Sequence, residues 1–463
     1  MRYLIVIILC FFGLFVLAQD KDEADKNLLH YFTSGTLSGQ IRDFSMATVN
    51  KGILNDYYAN AVGASIHFET LPLKGFSLGL NGIFVYRTFS NDLLSIDSIA
   101  NSSSLYELQL FDVEHKGNYT DLDRLEELYI KYQTKKLRVM YGKMEILSPL
   151  INLHDGRMKP KVFSGFQTNY LFKDNTFNLA WFSKASPRSI THWFNIEDAI
   201  GLYNNGYISD TTKADYHYNI ASNGLGIFGF ESKKISSFKL NVWNYYLDNI
   251  SNTSFLKLDC DRDTGFYGGV MYLYQTPLNN GGSENPIHTY HNVDERTNLI
   301  SGSIGRHFKF CDVNLNATHI LNTGKFIFPR EFGVDPTYTY ISRSQIEGQG
   351  NATSFGITGE KKMKNASIRL DWNQMLTDQS TKFNKYKQPS YNQFNIDYSY
   401  SFHKKFEGLE LRFLYVYRRA IERNLPMAEM FNQVDFNQIN LVANFNFTAS
   451  VKTKNNGFGH HHH

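Results

Sequence analysis

The sequence predicts an all-β protein, a transmembrane antiparallel β-barrel. Three observations carry that prediction. After Leu17 no apolar run approaches the roughly 20 residues that cross a bilayer as a helix. The chain instead alternates apolar and polar residues in segment after segment. Aromatics cap the apolar faces of those segments, and the polar faces carry full charges. Composition agrees: 29 Tyr, 37 Phe, 10 Pro and 20% charged residues in 463 exclude a disordered chain, a collagen and a coiled coil. A formal net charge of +3 offers no bulk attraction to nucleic acid. Three cysteines cannot staple a disulfide scaffold of this length.

Taken in order, the chain opens on Arg2, an apolar run over 3–17, and Ala18 before a polar stretch. This reads as a secretory signal peptide over 1–18. A barrel over 19–447 follows, then a polar tail over 448–463, ending in His460 to His463 and expected to be disordered. The first strand candidate, 40–44, contains Arg42. The alternating segments are 62–69 (VGASIHFE), 137–142 (LRVMYG), 368–372 (IRLDW), 394–402 (FNIDYSYSF), 409–418 (LELRFLYVYR) and 439–447 (INLVANFNF). Successive side chains of a strand point to opposite faces, so each segment has one apolar and one polar side. A soluble sandwich gives the same alternation. A barrel fits better, because Arg138, Arg369, Asp371, Asp397, Glu410 and Arg412 would need water on every strand.

At roughly 24 residues per strand and its share of loop, 19–447 accommodates about 18 strands. Polar loops are expected at 90–118, 200–216, 277–296, 348–353 and 377–390. Cys260 and Cys311 remain after signal cleavage, and their spacing leaves pairing open. Asp259, Asp261 and Asp263 alternate in a calcium-like pattern, but Val270 stands where an EF-hand needs Glu. They read as acids at the pore mouth, with a surface Ca²⁺ as the alternative, and no spacing nominates a cofactor. No Gly-x-Ser-x-Gly, His-Glu-x-x-His or phosphate-binding Gly loop is present, so no enzyme is indicated.

Three stretches resemble the OprD porin family, the outer-membrane carboxylate channels. They are 125–165 (LEELYIKYQTKKLRVMYGKMEILSPLINLHDGRMKPKVFSG), 328–343 (FPREFGVDPTYTYISR) and 386–417 (YKQPSYNQFNIDYSYSFHKKFEGLELRFLYVY). The NLHDGRMKP and FPREFGVDP segments are the most specific. The resemblance implies a bacterial outer-membrane barrel of 18 strands, a monomer or weak trimer in lipid. It also implies inward-folded loops and a ladder of basic side chains guiding small carboxylate-bearing solutes: amino acids, small organic acids or short peptides. The long 90–118 loop and the tail depart from the family pattern.

The residues support the same site. Arginine suits carboxylates, since its planar fork gives two parallel charge-assisted hydrogen bonds. Strict alternation puts Arg138, Arg369, Arg412 and Arg418 on polar faces, with Arg42 a weaker candidate. The loop holding Asp155 and Arg157 has prolines at 149 and 160, and could enter the lumen. The loop with Arg330, Glu331 and Asp335 is the second such candidate. Its acids could face the arginine row, or Arg330 could pair with Glu331 or a neighbour. A solute channel and a non-conducting barrel, acting as adhesin, receptor or assembly partner, both fit these residues. Inward loops with arginines favour the channel.

Overall fold

The computed structural model describes residues 28–152, 156–232, 237–261 and 265–451. The expected signal peptide, Asp155, Asp263 and the histidine run lie outside the described residues. After a short helix, Leu28–Thr33, the chain runs through 18 long strands. They are β1 (Gly35–Val49), β2 (Tyr57–Thr70), β3 (Phe76–Ser90), β4 (Arg124–Gln133), β5 (Leu137–Met144), β6 (Val162–Phe172), β7 (Asn175–Ser186), β8 (Leu225–Glu231) and β9 (Phe238–Leu247). They continue as β10 (Ser251–Asp261), β11 (Phe266–Pro277), β12 (Thr297–His307), β13 (Asp312–Ile320), β14 (Ala352–Lys362), β15 (Ala366–Leu376), β16 (Tyr391–Ser401), β17 (Leu409–Ala420) and β18 (Phe436–Val451). Each pairs antiparallel with its neighbours, and β1 closes the ring against β18. A two-residue strand, Phe194–Asn195, adds to the end of β7.

Closure explains why the last strand outruns its apolar pattern. Alternation fades after Phe447, yet Thr448 to Val451 stay paired with Ser38 to Gly35, because β1 still offers backbone partners. Phe447 lies over Gly39, where a Cβ would come within 2.6 Å of its ring.

Alternation sorts the two faces. Ile41, Ile66, Leu80, Phe84, Leu256, Val270, Ile300, Leu315, Leu370 and Leu441 are exposed on the outer wall, as a lipid-facing belt requires. A polar knot interrupts it. On the outer face of β1 and β2, Asn60 donates to Asp43 Oδ1 (3.0 Å) and to Ser45 Oγ (2.7 Å), while Thr88 donates to Asn60 Oδ1.

The connections are asymmetric. Those after even-numbered strands are short, such as 134–136 and 363–365. Those after odd-numbered strands include 91–123, 145–161, 187–224, 278–296 and 321–351. These long loops turn inward at one end. Leu110, Phe111, Leu150, Ile151, Ile190, Ile200, Phe326, Phe328 and Phe332 are all buried there with inward wall residues such as Tyr245 and Phe182. The core of this protein therefore sits inside its own barrel, at the loop end. Cys260 and Cys311 are both free thiols.

Candidate pore constriction

Below the loop core lies a cavity of about 680 Å³. Its wall is supplied by β1 to β4, β17 and β18, and its remaining sides by the loops 145–161 and 321–351. Both loops are inside the barrel. Leu150 N–H donates to the Tyr245 hydroxyl of β9 (3.1 Å). The 321–351 loop crosses the lumen by pairing with inward polar groups of successive strands. Gln275 of β11 exchanges hydrogen bonds with Ile327 (2.6 and 3.0 Å), and Thr318 of β13 bonds Thr339 (2.7 Å). Asn373 of β15 and Gln393 of β16 donate to the carbonyls of Thr339 and Ser342. The loops also meet each other: a Cβ on Gly333 would lie 1.7 Å from the Leu150 carbonyl.

Three arginines face this cavity from one side. Arg42 of β1 donates to Asn444 Oδ1 (2.8 Å) and to the backbone carbonyl of Arg157. Arg343, on the 321–351 loop, donates to the amide oxygens of Gln438 (2.6 Å) and Asn440 (3.2 Å) on β18. Arg412 of β17 forms a forked pair with Asp397 (2.8 and 2.5 Å) and keeps 41% of its side chain exposed. Glu126, on β4, and Glu145, just after β5, line the same cavity. Glu126 is held in a buried forked pair with Arg124 (2.8 and 2.9 Å), leaving partly buried Glu145 as the more open acid.

The structure distributes the sequence-nominated residues unevenly. Arg42 and Arg412 are brought together at the cavity. Arg157 borders it, but the side chain is 3% exposed and donates to the carbonyl of Tyr106 (2.9 Å) and to Gln109, tying its loop to the 91–123 loop. Its φ of +51° marks the tight corner that turns it there. Arg369 faces inward on β15 beside Asp371 (2.9 Å), two strands from Arg412. Arg138 stands apart on β5, next to the short 134–136 turn. Arg418 is 2% exposed and holds Gln393 (2.8 Å), the Gln433 carbonyl (2.9 Å) and the Arg343 carbonyl.

The acids of the second loop work as anchors. Glu331 accepts from the N–H groups of Gly201 (3.1 Å) and Tyr203 (3.0 Å), and burial raises its pKa. Asp335 accepts from Ile346 N–H (2.6 Å), and burial pushes it up to about 6. Arg330 pairs with a neighbour, Glu347 (2.5 Å), and not with Glu331; it stacks on Tyr386 at 3.8 Å. Neither Glu331 nor Asp335 lines the cavity; the acids that do are Glu126 and Glu145. Sequence reasoning missed Arg343, Glu126 and Glu145. Arg343 ends the FPREFGVDPTYTYISR segment, and Glu145 follows the 137–142 strand pattern by three residues.

A closed 18-stranded barrel with an apolar outer belt and a lumen narrowed by two loops is the architecture of an outer-membrane porin. Comparison with known proteins agrees at the level of fold. No family model and no curated protein matches the sequence. Solved structures do: Pseudomonas aeruginosa OpdK with vanillate, at 12% identity and TM-score 0.69, covers 90% of this chain and 99% of its own. OccK8 (OprE) of the same organism, at 14% and 0.69, has the same coverages, as does Acinetobacter baumannii OccAB4 at 13% and 0.67. The chain carries the fold of the OprD/Occ porins.

Proposed function

We propose that this protein is a channel for the passive diffusion of small carboxylate-bearing solutes across the outer membrane. The reading rests on one observation: Arg42, Arg343 and Arg412 face a loop-narrowed cavity whose lining also includes Glu145. A charge fixed at a constriction replaces part of a solute's hydration, and a guanidinium does so for a carboxylate with two directed hydrogen bonds. Arg42 donates to an amide oxygen and a backbone carbonyl, and Arg343 donates to the amide oxygens of Gln438 and Asn440, which fixes where the two guanidinium groups point. An acid in the same lining suits an ammonium group, so amino acids and other zwitterions fit it. The OpdK structure holds vanillate, itself a carboxylate, which supports the same solute class here.

Single-channel recording in planar bilayers tests this. Reversible block of the current by millimolar monocarboxylates and amino acids is expected, with no block by neutral sugars of equal size. Absence of any conductance would favour the non-conducting barrel.

A further inference from the structure

The long loops 91–123 and 187–224 bring together a second group of residues at the loop end, away from the constriction. Glu114 Oε2 lies 3.0 Å from His192 Nε2 and 3.9 Å from His115 Nδ1. One ligand atom from each of the three lies within 4.8 Å of the others. That carboxylate oxygen is withdrawn from water and accepts no hydrogen bond. The other oxygen, Oε1, accepts from the Tyr218 hydroxyl (3.3 Å), which fixes the carboxylate plane and turns Oε2 toward the imidazoles.

We propose that Glu114, His115 and His192 form a site for one divalent transition-metal ion of the Zn²⁺ type, fastening the two loops at the mouth of the barrel. Two imidazoles and a carboxylate, with a further position for water, are a recurrent zinc donor set. Donors bound at about 2.1 Å around a tetrahedral ion lie roughly 3.4 Å apart, close to the separations present. Calcium and magnesium prefer all-oxygen sets, so two nitrogen donors of three select against them.

The surroundings hold the donors in place. Asp112 is fully buried; its Oδ1 accepts from the N–H groups of Glu114 (3.0 Å) and His115 (3.1 Å). Its Oδ2 accepts from Thr191 Oγ1 (3.1 Å) and lies 3.4 Å from His115 Nδ1, so a further carboxylate stands beside the site. Val113 N–H donates to the Ser189 carbonyl (3.0 Å), and His192 packs on Phe194. Both histidines remain open to solvent, at 62% and 43% side-chain exposure, so an ion can enter from outside. His115 and His192 stand 77 positions apart, which leaves no motif spacing to read in the sequence.

The consequence reaches the pore. The same two segments hold Gln109, which takes hydrogen bonds from Arg157 and Arg188 and whose carbonyl takes one from Ser189. A metal joining Glu114 to His192 therefore braces the support of the constriction loop.

The test uses the full chain with His460 to His463 replaced by Ala, which removes a competing histidine run. Titration with Zn²⁺ alone, by calorimetry and by thermal unfolding in detergent, should give one saturable equivalent and a raised Tm. Glu114→Gln and the surface substitution His192→Gln should each weaken binding at least tenfold, and millimolar Ca²⁺ or Mg²⁺ should not raise Tm. No saturable Zn²⁺ binding by the unsubstituted loops would overturn the proposal. So would equal affinity in a His192→Gln protein that keeps its Tm without metal.

Discussion

Arg124 shows what a single residue does in this barrel. Its guanidinium is wholly buried and donates to Glu126, to the carbonyls of Pro187 and Ile190, to Ser186 and to the Pro160 carbonyl. It joins strand β4 to the loops 145–161 and 187–224 at one point. Arg124→Ala leaves Glu126 as a buried charge without its partner, a loss typically about 3–5 kcal/mol. We expect a markedly lower Tm in detergent and a constriction loop open to added protease; an unchanged melt would show that the pair carries no load. The arginines were only partly legible in the sequence. Alternation put Arg138, Arg369, Arg412 and Arg418 on polar faces, since it reports the face of a strand. It says nothing of depth along the strand or of what the loops bring. Arg418 therefore lies buried behind the Arg343 carbonyl, while Arg343, on a loop without periodicity, occupies the cavity.

At the scale of elements, the strands were readable because lipid outside and water inside impose the same two-residue period on each. The loops were readable where they are polar or bounded by prolines, as around Arg157 and over 329–336. The 348–353 stretch marks just the end of the 321–351 loop, whose earlier part, with Phe326, Ile327, Phe328 and Phe332, looks like a buried core segment in sequence. It is one: the loop is folded into the barrel and buries those side chains there. The contact of the two inward loops depends on a glycine. Gly333→Ala places a methyl carbon 1.7 Å from the Leu150 carbonyl, a backbone atom, so one loop must move. The expected result is a lower Tm together with a changed single-channel conductance; a variant identical to wild type in both would mean the loops can separate without consequence. On the outer wall, Asn60→Ala removes the donor to Asp43 and leaves a carboxylate facing the lipid belt, at a cost of about 1–3 kcal/mol. Urea unfolding from lipid vesicles measures it.

For the whole molecule, the loop core inside the barrel predicts a stability that falls in acid. His291, in the 278–296 loop, is 0% exposed, and burial pushes its pKa down to about 4 from an unfolded value near 6.5. Its neutral form is the buried one. The stabilisation it contributes is full above pH 6.5 and is lost as pH falls toward 4, when the unfolded chain takes up a proton that the folded one resists. A shift of this size is worth about 3 kcal/mol. His291→Phe should flatten the decline of Tm between pH 6.5 and 4; an identical decline in the variant would assign the acid sensitivity elsewhere.

The central claim is that the constriction filters by charge and not by size alone. Proteoliposomes carrying the wild type or the Arg42→Gln/Arg343→Gln double variant test it, with flux of a small monocarboxylate measured beside that of a neutral sugar of equal size. Each lost charge-assisted hydrogen bond is worth about 1.5–3 kcal/mol, so carboxylate flux should fall about tenfold or more in the variant while sugar flux stays within about twofold. An equal fall for both solutes, or no change in either, would contradict the account and leave the loops as a sieve.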